Sequence, residues 1–255
     1  MRQDSRAPFV SALRRAREAA FPAGEYVGQE SFMRASEIRQ LARRARVGTG
    51  VSVLDLCCGV GGPGRMITAE LDCRYLGLDY SASAIEIARA LAAELGCRFE
   101  QRHLGTVPDG RFEVVFLLET LLAFRDKKVL LDSVARCLEP GGRFVLTVEE
   151  GKPLTAIERA QMPDADTVWP IELRDLRTQL RALGLTVTWQ EQCSASHHAV
   201  ATALLRSFLA ESAEIARQIG SKATAELVEA HRLWCNWLGS GRIRKFAMVA
   251  EKRGH

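Results

Sequence analysis

From residue 51 onward, short apolar runs bounded by turn residues alternate with stretches whose apolar side chains recur every three to four positions, the rhythm of strands alternating with helices. The runs predict strands at 51–56, 75–79, 98–102, 112–117 and 143–148, and the periodic stretches predict helices near 63–71, 82–95 and 126–138. Strands apolar at nearly every position are covered on both faces, so the expected architecture is an open, mostly parallel α/β sheet. A further helix at 173–182 ends at Gly184 and leads into a sixth strand at 185–190; helical segments at 199–218 and 222–238 separate it from a last strand at 244–251. Upstream, Phe9, Leu13 and Ala16 mark one helical face and Ala35, Ile38, Leu41, Ala42 and Ala45 another, with a break at 22–28. The chain thus divides into a helical leader (1–50), an α/β core (51–191), a helical insertion placed to act as a lid (192–241), and a final strand and tail (242–255).

The first predicted strand runs into Gly59-Val-Gly-Gly-Pro-Gly64. Gly59, Gly61 and Gly62 let the backbone turn sharply and approach a ligand closely, and Pro63 suits a first helical turn. Asp79 ends the next strand twenty residues after Gly59, where a carboxylate can accept both hydroxyls of a ribose. The combination points to a nucleoside-containing cofactor. The same loop satisfies the Gly-x-Gly-x-x-Gly dinucleotide fingerprint, so spacing alone leaves an NAD-dependent oxidoreductase open.

Residues 53–64, together with Gly77-Leu-Asp-Tyr-Ser81 and Leu138-Glu-Pro-Gly-Gly-Arg-Phe144, resemble the class I S-adenosylmethionine-dependent methyltransferases over about residues 25–150. The resemblance implies a Rossmann-like sheet of seven strands, mostly parallel with the last antiparallel, and helices on both faces. It implies that Asp55 and the amides around Gly59 and Gly61 lie near the amino acid portion of S-adenosylmethionine, that Asp79 holds the ribose and that Tyr80 flanks the adenine. Cys57 stands where the family has its first loop glycine and is expected to keep a negative φ. His103 stands where an Asp receives the adenine amino group, with the Leu104 backbone amide beside it. The stretches 26–32 and 234–243 resemble the branch that methylates small molecules, in which the leader and the late insertion close over the acceptor.

Methyl transfer from a sulfonium is an in-line displacement, for which a protein aligns the reactants, excludes water and, for a hydroxyl or ammonium acceptor, removes a proton. Groups at the carboxyl ends of strands are the candidates: Glu119 after the fourth, which also falls beside the cofactor, Glu149 and Glu150 after the fifth, and His197 and His198 after the sixth. Trp169, Trp234 and Trp237 are candidate acceptor walls, whereas His231 reads as packing. No unambiguous base emerges, which leaves a third reading, a non-methylating scaffold or cyclase of the same fold that binds the cofactor.

Composition narrows the setting. With 47% hydrophobic and 26% charged residues, disorder and collagen-like structure are excluded. The net charge is +4, and ten basic against five acidic side chains fall in residues 1–50, leaving the remainder nearly neutral; that is too sparse a basic surface for a nucleic-acid partner. The seven cysteines show no Cys-x-x-Cys spacing, so neither a metal nor a disulfide framework is expected. With no signal-peptide core and no apolar run of membrane length, the expectation is a cytoplasmic protein away from membranes, its partners a small-molecule acceptor and, as an open option, a second copy in a homodimer.

Overall fold

The computed structural model describes residues 12–93, 95–103 and 110–254. Two leader helices, α1 (Ala12–Ala20) and α2 (Ala35–Arg44), precede the alternating core: β1 (Ser52–Leu56), α3 (Gly62–Leu71), β2 (Arg74–Asp79), α4 (Ala82–Leu91), β3 (Arg98–Gln101), β4 (Phe112–Leu117), α5 (Lys128–Cys137) and β5 (Leu138–Glu150). Then come α6 (Ala156–Gln161), α7 (Leu173–Ala182), β6 (Leu185–Gln192), α8 (Ser194–Ala210), α9 (Ser212–Ile219), α10 (Ser221–Ser240) and β7 (Arg244–Lys252). The seven strands form one sheet in the order β3-β2-β1-β4-β5-β7-β6, with β7 antiparallel to β5 and β6. The order reverses between β1 and β4, where open α/β sheets bind ligands.

Alternate residues of each strand serve the two faces. Leu54, Leu76, Val115 and Leu146 pack under α5 and α7 through Leu130, Leu131, Leu176 and Leu180, while Val53, Tyr75, Val114 and Phe116 pack under α2, α3 and α4 through Ile38, Ile67 and Ile85. The predicted strands hold with small shifts. The fifth begins early, because Leu138 already pairs with Phe112 and the Pro-Gly-Gly turn is accommodated as a bulge before Val114 pairs with Arg143. The helix expected to run to 95 ends at Leu91, the segment 199–218 is two helices that begin at Ser194, and α6 was not predicted. Ala12, Ala16 and Phe21 of the leader pack against Val200, Leu204 and Phe208 of α8, so the leader meets the insertion between β6 and β7.

Candidate active site

At the switch point a cavity of about 270 Å3 is lined by Asp55, Cys57, Gly59, Asp79, Tyr80 and Glu119, and covered by leader residues including Gly28, Glu30 and Ser31. Asp79 fixes the loop: its two carboxylate oxygens accept the Gly59 and Ser81 amides, each at 2.9 Å, and each oxygen keeps a lone pair for a further donor. Asp55 is buried and accepts the Tyr75 hydroxyl. Burial pushes its carboxyl up to about 7, the Tyr75 bond opposing and the Asp79 charge adding to the rise; a cation in the cavity would restore its charge. Gly59 sits at φ +54, and a Cβ there would meet nothing within 4 Å, so the loop leaves room for a ligand.

Cys57 departs from the expected negative φ: it is left-handed at +61. The cause is the ladder on either side. Leu56 is held in register with Leu78 and the Cys58 amide donates back to the Leu78 carbonyl at 3.0 Å, so the chain has to reverse within the one intervening residue. Burial, helped by Asp79 and Asp55, pushes the Cys57 thiol up to about 12, which leaves it inert as a nucleophile. Gly61 caps the start of α3 at φ +71, and a Cβ there would lie 2.5 Å from the Phe99 ring; it packs the loop rather than lining the cavity. Tyr80 stands at the mouth, 68% exposed. His103 is exposed, and Leu104 lies outside the described residues.

A second cavity of about 210 Å3 shares Glu30, Ser31 and Glu119 with the first, and adds Arg17, Phe32, Glu149, His231, Trp234 and Lys245. Lys245, on β7, is buried and its ammonium donates to Glu119 Oε2 at 2.7 Å and to Glu149 Oε1. Burial works against that charge, but the two carboxylates more than offset it and hold the ammonium above its ordinary range. Glu119 is left-handed at φ +58, its amide bonded to Thr147 Oγ1 at 2.5 Å. Burial would raise its carboxyl, yet the charges of Lys245 and His197 and the bonds from Lys245 and Thr147 bring it below the usual range. Glu119 Oε1 and Glu149 Oε2 are buried without a hydrogen-bond partner.

The other sequence candidates separate. His197 is fully buried and lines neither cavity; its Nε2 stands 3.6 Å from Glu37 and its Nδ1 3.8 Å from Glu119. His198 packs toward Gly239 of α10, and Glu150 pairs with Arg244 at 2.8 Å beside a separate surface cavity. These placements follow from helix and strand phase, since adjacent residues cannot both face one site. Trp234 lines the second cavity, whereas Trp169 stacks with Arg125 and Arg159 and Trp237 packs into a satellite core. Sequence reasoning missed Tyr75, Glu30, Glu37, Phe32 and Lys245. Lys245 left a signal, the charge that directly precedes the apolar run 246–250.

Residues 53–142 match the family model described as a methyltransferase domain. Over that segment the chain is similar to methyltransferase domains. It is 29% identical over 113 residues to phosphoethanolamine N-methyltransferase 1 of Arabidopsis thaliana, covering 43% of this chain and 23% of that protein. A sterol 24-C-methyltransferase of Eremothecium gossypii is 29% identical over 136 residues, 50% of this chain and 36% of that one. The chain therefore matches only about a quarter to a third of these relatives. A solved structure from Galdieria sulphuraria, described as a sarcosine dimethylglycine methyltransferase, superposes with a TM-score of 0.78 at 16% identity over 87% of this chain and 85% of that one, which establishes a shared fold beyond the matched segment. The cofactor of the family is S-adenosylmethionine, and the open space at Gly59, the carboxylates of Asp55 and Asp79 and the anionic Glu119 fit a cationic nucleoside ligand.

Proposed function

We propose that the protein transfers a methyl group from S-adenosylmethionine to a small metabolite or natural product seated in the 210 Å3 cavity. The observation that carries this reading is that the two cavities share Glu119, Glu30 and Ser31, so a donor in one and an acceptor in the other would meet at that shared wall. S-adenosylmethionine supplies an electrophilic methyl on a cationic sulfur when bound. In this reading Asp79 accepts the ribose hydroxyls, Asp55 and the Gly59 amide hold the amino acid portion, Tyr80 flanks the adenine, and His103 lies at its edge. Glu119 and Glu149 orient the acceptor, and His197 is a positioning residue that acts through Glu119. The leader before residue 50 and the insertion 192–241 form the lid that excludes water.

The buried free thiols fit a reduced, cytoplasmic setting, and among the described residues no helix is long and apolar enough to cross a membrane. The enzyme would work there as a monomer or homodimer, without nucleic acid. Titration calorimetry with S-adenosylmethionine and with NAD tests the assignment, and binding of NAD alone would replace it with the oxidoreductase reading. Asp79→Ala is expected to weaken S-adenosylmethionine binding by about 1–3 kcal/mol, because ribose hydroxyls lose their acceptor.

A further inference from the structure

We infer that the acceptor is a small primary amine, recognised by the Glu119 and Glu149 carboxylates that Lys245 clamps side by side in the wall of the 210 Å3 cavity. The inference rests on the methyl-transfer reading and deepens it. Lys245 uses one oxygen of each carboxylate, at 2.7 Å for Glu119, and leaves Glu119 Oε1 and Glu149 Oε2 buried with no donor. Both side chains line the cavity and are at least nine-tenths buried, at 10% and 3% exposure. Two unpaired acceptors call for two donors. A neutral primary amine has two N–H groups and one lone pair, so pairing both N–H groups leaves the lone pair as the remaining tetrahedral direction. A hydroxyl has one O–H and leaves the second oxygen unpaired, and a carbon acceptor satisfies neither.

Charge and shape favour the same class. The charged residues of the wall are Glu30, Glu119 and Glu149 against Arg17 and Lys245, a surplus of one negative charge. Phe32 and Trp234, 6.1 Å apart edge to face, give flat walls for the carbon skeleton and for the cationic product. Arg17 carries an unpartnered Nε and, with Glu30, also lines an adjoining cavity of about 370 Å3 under α1. In the reaction the incoming ammonium releases one proton to water. The nitrogen lone pair then forms the N–C bond as the C–S bond of the sulfonium donor breaks with its pair left on sulfur, and the nitrogen ends as a methylated ammonium.

Calorimetry on the whole chain saturated with S-adenosylhomocysteine, comparing 2-phenylethylamine with 2-phenylethanol, tests this. The amine is expected to bind at least about tenfold tighter, and Glu149→Gln is expected to erase most of that preference while S-adenosylhomocysteine affinity stays unchanged. With S-adenosylmethionine bearing a labelled methyl, the label is expected on nitrogen. Equal or tighter binding of the alcohol, or no binding of the amine, overturns the inference, and the unaltered chain decides this even if the variant fails to fold. Failure of S-adenosylhomocysteine itself to bind would instead overturn the methyl-transfer reading on which it stands.

Discussion

At Cys57 the backbone takes a conformation that a side chain resists, φ +61, and the surrounding ladder leaves it no alternative. A left-handed non-glycine residue costs about 1–2 kcal/mol, so Cys57→Gly is expected to stabilise the protein by about 1 kcal/mol after the loss of a partly buried thiol, measured as a higher urea midpoint at unchanged slope. Glu119, at φ +58, carries the same kind of strain at the junction of the two cavities, where the geometry aims a carboxylate between donor and acceptor sites. Asp79 was readable from the chain because its role needs only a strand end and a fixed spacing from Gly59. Cys57 shows the limit of that approach: its residue type argues for negative φ, and only the pairing of Leu56 and Cys58 with Leu78 overrides it.

Among the elements, α3 and the leader depend on each other through Gly62. A Cβ there would lie 2.2 Å from the Val27 carbonyl oxygen, closer than any atom pair tolerates, and the backbone of both segments would have to separate. Gly62→Ala is therefore expected to lift the segment around Gly28 and Glu30 off the cofactor cavity and weaken S-adenosylhomocysteine binding about tenfold or more, read by calorimetry. An unchanged affinity would show that the leader does not close the site. Strand β7 contributes in a way its own pattern hides. Running antiparallel between β5 and β6, it sets Lys245 opposite Glu149 in register, and its position in the sheet carries that ammonium to Glu119 at the end of β4. The late helical insertion is similar: α8 places His197 beside Glu37 and Glu119 and turns the adjacent His198 toward α10.

For the molecule as a whole, titration links stability to the site. His231 sits among Phe32 and Phe208, with its Nδ1 2.8 Å from the Leu227 carbonyl; burial, with Arg17 adding to it and the Leu227 bond opposing, lowers its imidazole to about 4. The unfolded chain, with its histidine near 6.5, binds the proton more readily, so this contribution to stability is present above pH 6.5 and is lost as the pH falls toward 4. Replacing His231 with Phe is expected to remove this part of the acid dependence, about 3 kcal/mol between pH 7 and pH 4, seen as a flatter plot of unfolding free energy against pH. Glu37 acts in the same direction at lower pH. Burial would raise its carboxyl, but the contact with His197 and bonds from Arg34 and Ser196 outweigh it and lower it to about 2, so its stabilising share is lost as the pH falls below 4.5. Asp55 has the opposite sign: raised to about 7 by burial, it binds its proton more tightly when folded and costs stability as the pH rises from 4 toward 7.

The alternation of strands and helices, the glycine loop and the carboxylate ending β2 were all legible in the chain, because each depends on contacts between near neighbours and on periods of two and 3.6 residues. The cofactor half of the candidate site is built almost wholly from such local pieces. The acceptor half is not. Glu119, Glu149 and Lys245 come from the ends of three strands that are neighbours in space and up to 126 positions apart in sequence, and Phe32, His231 and Trp234 come from the two opposite ends of the chain. Which member of His197-His198 or Glu149-Glu150 turns inward is a question of phase, fixed when helix and strand pack, and the pairing of buried charges has physical meaning only after water has been excluded around them.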